Sequence, residues 1–315
     1  MISQSLKLLF PGLGLIAILV FAAVVVLFIG SGELEGILTE ALIYMIMVIA
    51  LSIFVGNSGV ISFGHVTFAL VGAYASAWQT CCSSIRGVFM PGLPEFILHA
   101  DVPVVLAVLT AALIAAVVAV LAGLIIMRLS SVAASIALLS LLFVFKTIYE
   151  NWGSLTAGQS SVVGLPVYVN LWVALIWVAL TITVAQTYMR SAHGLRLRAA
   201  REDEVAARAA GIVVWRERLI AFVISAFFFR YRWRFVRAFP GNTGCKHVLA
   251  QHDFPHVGNA CRWGLRSLTG AVIGALAVAS IRGVLRAFEQ GVQIGGGRCR
   301  SHRGCRRLHL LSFFY

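Results

Sequence analysis

Long apolar runs constrain this chain more than any other feature. Roughly 20 residues of helix cross the hydrocarbon core of a bilayer, so an apolar run of about 18 residues or more reads as a membrane span. Such spans are expected near residues 9–29, 37–55, 60–79, 102–127, 132–149 and 167–189. RLIAFVISAFFF opens a seventh that stops abruptly at Arg230, and LRSLTGAVIGALAVASIRGVL resumes a helical pattern with small residues spaced for close contact. A soluble fold is excluded because 60% hydrophobic and 12% charged residues, with a mean hydropathy of +0.93, leave too little polar surface. The first run is longer than a signal-peptide core and lacks a small-residue cleavage site, so it is expected to stay as an anchor. The expected fold class is all-α, a polytopic transmembrane helical bundle of about eight to ten spans in a single domain over residues 1–315.

Basic residues in short loops set the orientation of such a bundle. Lys7 precedes the first span, the loop GSGELEG is acidic, Arg128 follows the fourth span, and residues 190–218 are rich in arginine. All agree with a cytoplasmic N-terminus and a large cytoplasmic loop at 190–218. The segments CCSSIRGVFMPGLPEFILHAD and ENWGSLTAGQSSVVGLP are poor in basic residues and are expected to face outside.

The net charge of +13 is local in origin. Residues 229–264 hold six of the 25 Lys and Arg, and 298–315 hold five more. The remaining 14 basic residues against 11 acidic leave about +3, which the bias of cytoplasmic loops supplies alone. Cys245, Cys261, Cys299 and Cys305 fall in the same two stretches, apart from Cys81 and Cys82, and imply no disulfide framework.

Two segments carry chemical information. HGLRLRAAREDEVAARAAGI combines Glu202, Asp203 and Glu204 with the apolar or small set Leu197, Val205, Ala206, Ala209 and Ala210, closed by Gly211. That pattern predicts one short amphipathic helix, serving either to dock a cytoplasmic partner or to lie on anionic membrane lipid. GNSGVISFGHVTFALVGAYASA, residues 56–77, is rich in glycine for a span. Glycine permits a helix break, and transporters place substrate at such breaks; tight helix packing is the alternative. Gly59, Ser62, Gly64, His65 and Gly72 are the candidates for a substrate path, His65 because an ionisable group inside a span is costly. A structural, hydrogen-bonded histidine is the competing reading.

These segments, in order, resemble those of the permease subunits of branched-chain amino acid ABC transporters. GNSGVISFGHVTFALVGAYASA is similar to their SLGHAAFFGIGAYAAA-type segment, TAGQSSVVGLP to their outward TGG…GL…P loop, and GLRLRAAREDEVAARAAGI to their GRALRAIRENEIAAEALGI-type cytoplasmic motif. The resemblance runs from about residue 37 to 228 and from 265 to about 294, with departures at Ala157 and from Ser160 to Val162. It implies a bacterial inner-membrane subunit that pairs with a homologous permease and two cytoplasmic ATP-binding subunits, and that takes an amino acid from a periplasmic binding protein. It further implies a coupling helix entering a cleft on the ATPase, carried by Gly194, Leu195, Arg198, Ala199, Arg201, Glu202, Glu204, Ala206, Ala207 and Gly211. The chain has no GxxxxGK[ST] sequence, so ATP is expected to be hydrolysed by the partners, with no cofactor of its own; GVQIGGGR lacks the Lys-Ser/Thr. HExxH, GxSxG and paired intramembrane carboxylates are absent too, which argues against an enzyme.

The stretch FRYRWRFVRAFPGNTGCKHVLAQHDFPHVGNACRWG fits neither neighbour. Arginines interleaved with aromatics form a nucleic-acid surface in other settings, but no binding fold surrounds these, and none is expected. A shifted reading frame accounts for it better. Joining the last two bases of each codon to the first of the next turns Trp233 and Trp263 into glycine, and lets Arg230 to Ala238 read GIGGALYAH and Phe254 to Trp263 read FLTLAMLVGG. The third frame forces arginine or stop at His252 and arginine or cysteine at His256 and Asn259. Only one frame restores membrane character, so 229–264 is read as out of frame, and 298–315 as a second such segment. Cys245, His247, His252, His256 and Cys261, or Cys299, His302 and Cys305, then imply no metal site, having no regular paired spacing.

Overall fold

The computed structural model describes residues 2–30, 32–80, 92, 103–156, 170–229 and 267–289. Every regular element among them is helical: α1 (Ile2–Ile29), α2 (Gly32–Leu51), a π-helical turn (Ser52–Gly56), α3 (His65–Thr80), α4 (Val104–Ile126), α5 (Ser131–Asn151), α6 (Gly153–Thr156), α7 (Leu171–Arg190), α8 (Ala192–Glu202), α9 (Glu204–Ala209), α10 (Val214–Phe229) and α11 (Leu268–Glu289). The all-α class and the polytopic membrane character expected from the sequence hold. Gly12–Ile29, Leu34–Gly56, Leu106–Ile126, Ser131–Asn151 and Leu171–Arg190 are long and apolar enough to cross a membrane. They match the first, second, fourth, fifth and sixth predicted spans.

The second helix is the axis of the bundle. Leu42, Ile43, Met45, Ile46 and Ile49 are all fully buried, so α2 has neighbours on every side, and it packs against α1, α7, α10 and α11. A helix apolar all round is suited to that position. In lipid, tail carbon is as apolar as leucine, so helices associate through close packing and not through the hydrophobic effect. In α4 the packing is read directly from sequence: Ala107, Ala111, Ala115 and Ala119 are fully buried at four-residue spacing. Gly123 continues the row, and a Cβ there would stand 2.6 Å from Leu219 Cδ1 and 3.1 Å from Phe222 Cδ1 of α10. Leu113, Leu121 and Ile125 point outward from the same helix.

The third predicted span needs correction. Residues 60–79 do not form one helix, because α3 begins only at His65 and has 16 residues. At 1.5 Å per residue it is about 24 Å long, short of a ~30 Å hydrocarbon core. Residues 59–64, ahead of α3, are non-helical, for reasons set out below. The described part of the seventh span, α10, has 16 residues up to Phe229, and α11 carries an apolar stretch at Leu268–Val278. Ala271, Val272 and Ala275 of α11 are nevertheless buried, in the packing against α2 and α7. The stretch 230–266, the tail after 289, both Cys/His groups and the outward loop at 157–169 lie outside the described residues.

One end of the bundle gathers the C-termini of α2, α4 and α7 with the N-termini of α5 and α10, and α8 and α9 lie across it. Gly12 abuts the side chain of Gln186, near the end of α7, which puts the start of α1 at this end as well. The relative topology predicted from loop charge, with the N-terminus, Arg128 and residues 190–218 on one side, is therefore the topology of the fold.

Candidate functional site

The break between α2 and α3 is built from short polar side chains that satisfy the backbone where the helix stops. Ser52 Oγ donates to the Ile49 carbonyl at 2.7 Å, and Asn57 Nδ2 donates to the Ile53 carbonyl at 2.8 Å. Gly59 takes φ +72°, a left-handed conformation that turns the chain out of the helix, while its N–H still reaches the Val55 carbonyl at 3.0 Å. Gly64 then passes directly beside α5, where a Cβ would lie 2.5 Å from the Leu138 carbonyl oxygen and 2.9 Å from Leu138 Cβ. Only glycine fits there without displacing backbone.

Above the break, His65 opens α3. It is 1% exposed. The rings of Phe54, Phe68, Phe222 and Phe229 enclose it, at centroid distances of 5.3, 5.9, 5.2 and 5.5 Å. Ser62 Oγ and His65 Nδ1 share a hydrogen bond of 2.5 Å, and the buried His65 Nε2 has no hydrogen-bond partner among the described residues. The fold thus brings Ser62, Gly64 and His65 together at one junction of α2, α3, α5 and α10. Gly72 is buried farther along α3, and Gly59 is exposed, against the side chain of Arg201.

The loop at 190–218 forms two helices where the sequence predicts one. Asp203 leaves the helical region at φ −147°, ψ 107°, ending α8 and capping α9, with Oδ1 accepting from Val205 N at 2.9 Å and Ala206 N at 3.0 Å. A side chain that satisfies orphan N–H groups favours a new start over continuation, which explains the division. The predicted apolar face divides with it. Leu197, Ala200 and Ala207 are buried, whereas Val205, Ala206, Ala209 and Ala210 face outward with Leu195 and Ala199. Gly211, at φ +81°, stops α9 as predicted. Gly194 is buried against the Tyr188 carbonyl at the turn from α7, and Ser191 caps α8 by accepting from Gly194 N at 3.2 Å. Arg198 donates to the Met189 carbonyl, locking the same turn.

Charged side chains strap this pair of helices to the bundle. Arg201 Nη1 donates to the Gly56 carbonyl at 2.6 Å, while Nη2 pairs with Glu202 at 2.5 Å. Glu204 pairs with Arg208 at 2.5 Å and with Arg218 at 2.9 Å. Burial raises the Glu204 carboxyl, but hydrogen bonds and charge from Arg208 and Arg218 outweigh it and hold the group below the usual glutamate range. Arg218 is buried, and it also donates to Ser131 Oγ at 2.9 Å and to the Leu129 carbonyl at 3.3 Å, joining α9, α5 and the turn after α4. Glu217, buried too, accepts from His193 at 2.8 Å and faces Arg196 at 3.5 Å. Sequence reasoning placed Glu217 and Arg218 in the loop without a role. Their signal was a charged pair at the head of an apolar helix, where an unpaired charge is costly and calls for partners.

The arrangement is a paired-helix platform, exposing a small apolar face, whose Arg201 holds the last carbonyl of the π turn and whose Glu204 pairs with Arg218 of α10, which in turn holds the turn after α4. Among the described residues no group of His, Cys, Asp and Glu is placed to hold a metal ion. The family model described as branched-chain amino acid transport system / permease component matches residues 33–228. No curated protein and no solved structure matches the chain.

Proposed function

The chain belongs to the branched-chain amino acid transport permease family, and on that premise we propose that it is the membrane-spanning subunit of an ATP-driven importer of the bacterial inner membrane. Its cargo is a branched-chain or related amino acid. Its partners are a homologous permease, two cytoplasmic ATP-binding subunits and a periplasmic binding protein. The observation that carries the proposal is that the family match takes in both the broken helix and the platform, and that one hydrogen bond, Arg201 to Gly56, joins them.

On this reading the N-terminus and the platform are cytoplasmic. The exposed Leu195, Ala199, Val205, Ala206, Ala209 and Ala210 seat in the ATP-binding subunit. Closure of that subunit on ATP moves α8 and α9 as a unit, and Arg201 and Arg218 carry the movement to the break and to α4 and α5. In the present arrangement His65 is sealed by four aromatic rings, so substrate passage at the break requires α10 to move away from α3. Displacement of packed helices between two discrete arrangements is the usual basis of alternating access.

The out-of-frame reading of 229–264 is part of the proposal. It is supported by the end of the family match at Phe228 and by the packing of α11 on α2 beyond the anomalous stretch. Resequencing the gene across codons 225–270 tests it: a missing or extra base near codon 229 with a compensating one near 264 is expected, and clean codons would refute it. The transport test uses both chains, as written and frame-restored, co-expressed with the partner subunits. ATP-dependent uptake of leucine, isoleucine or valine is expected of the restored chain and little of the chain as written. Uptake of urea or a short amide in their place would reassign the substrate, and no uptake of any would overturn the proposal.

A further inference from the structure

At the platform end of the bundle, Trp215 stands in the first turn of α10 with two guanidinium groups on its ring. Arg128 Cζ lies 5.1 Å from the ring centroid and Arg216 Cζ 5.4 Å. Both guanidinium groups are thus gathered at a single indole. Among the described residues neither arginine has a carboxylate within ion-pair distance, whereas Arg196, Arg201, Arg208 and Arg218 all do. Two like charges gathered on one half-buried ring repel, and a cation–π contact near the surface returns only about 0.5–1 kcal/mol. An anion between them would relieve that repulsion.

The surroundings identify the anion. Ile125 and Leu129, within a turn of Arg128 on either side, are exposed, and so is Val132 at the start of α5. They border a patch whose charged tips sit where α4 ends, next to side chains suited to acyl chains. Tryptophan favours the membrane–water boundary, and arginine lays its carbon stem along apolar surface while its tip reaches the headgroups. A cytoplasmic protein partner would have to cover that apolar rim, and the platform already offers such a partner a separate exposed face on α8 and α9.

We propose that Arg128, Trp215 and Arg216 form a binding site for the phosphate of an anionic phospholipid in the leaflet on the platform side. The site pins the Met127–Ser130 turn and the head of α10 at the membrane surface. Because Arg218 in the same first turns of α10 holds Leu129 and Glu204, the bound lipid sets the depth at which the platform sits.

The test is native mass spectrometry of the full chain in detergent micelles, titrated with phosphatidylglycerol or phosphatidylcholine. Wild type is compared with the double substitution Arg128→Gln/Arg216→Gln and with Arg128→Lys/Arg216→Lys. Selective retention of phosphatidylglycerol is expected. It should weaken about thirtyfold in the glutamine variant, as the loss of two cations at an anionic surface predicts, and survive largely in the lysine variant, whose circular dichroism serves with that of the glutamine variant as the folding control. Inorganic phosphate at millimolar concentration should not displace the lipid. Equal retention of both lipids, or unchanged retention in a folded glutamine variant, would overturn the proposal. Displacement by phosphate would make this a free-anion site. Unchanged lipid retention with weakened capture of the ATP-binding subunit would assign the patch to that partner.

Discussion

Arg201 on α8 donates through Nη1 to the carbonyl of Gly56, 2.6 Å away and 145 residues earlier in the chain. Gly56 is the last residue of the π turn, and its carbonyl has lost the helical N–H that would otherwise satisfy it. The stem of the same arginine lies against Gly59, where the chain has already turned to φ +72°. One side chain of the platform therefore closes the end of the broken helix.

Replacing Arg201 by alanine should disconnect platform from break. A hydrogen bond from a charged donor is worth about 1.5–3 kcal/mol, so ATP-driven uptake by the assembled, frame-restored complex should fall about tenfold or more. ATP hydrolysis by the same complex should change little. Parallel loss of both activities would show that Arg201 is needed for assembly and not for transmission.

Gly64→Ala should destabilise the bundle, because the added Cβ meets the Leu138 carbonyl at 2.5 Å and the backbone must shift. Overpacking of this kind costs about 1–3 kcal/mol. The thermal midpoint in micelles should drop by several degrees. Gly153→Ala, with nothing within 4 Å, is the control and should stay near wild type.

Asp203→Ala should fray α9. Both amide donors at Val205 and Ala206 lose their acceptor, at a cost of about 0.5–2 kcal/mol. Hydrogen exchange at those two amides should accelerate, and Asp203→Asn should restore most of the protection. Unchanged exchange would mean that packing of Ala207 holds α9 without its cap.

The Glu204 interactions give a pH dependence with a definite sign. Its folded-state carboxyl is depressed below the ordinary value of 4.5, so its stabilisation is fully present above that value and is lost as pH falls through the lower folded value. The difference in thermal midpoint between wild type and Glu204→Gln should be widest near neutral pH and close below pH 4.5. A gap that persists or widens in acid would contradict the assignment.

How much was legible follows from the range of each interaction. Gly211, whose stop signal is local, ended α9 where the sequence placed it. Asp203 stood in the sequence as one of three acidic residues; its capping role was local too, and a capping residue with an acid in the first turn after it is a start signal that the continuous apolar pattern concealed. Ser62 and His65 were singled out together and are in contact, but three of the four enclosing rings come from two other segments, the π turn and α10, so the sequence favoured a structural role for His65 only slightly over a substrate one. Arg201 was picked for its motif, and its partner at Gly56 could not be read from any spacing.

The apolar run lengths alone determined that this is a polytopic helical membrane protein, because a bilayer admits few other ways to satisfy the backbone. Loop charge determined which ends lie together, and the motif order determined the family. Only the tertiary structure decided that the third span is broken before His65, that Val205 and Ala206 face outward while Ala207 faces in, and that Arg218 joins three elements. Those outcomes rest on contacts between residues far apart in the chain: the Leu138 carbonyl that admits no side chain at Gly64, and buried carbonyls that must find a donor wherever the fold supplies one.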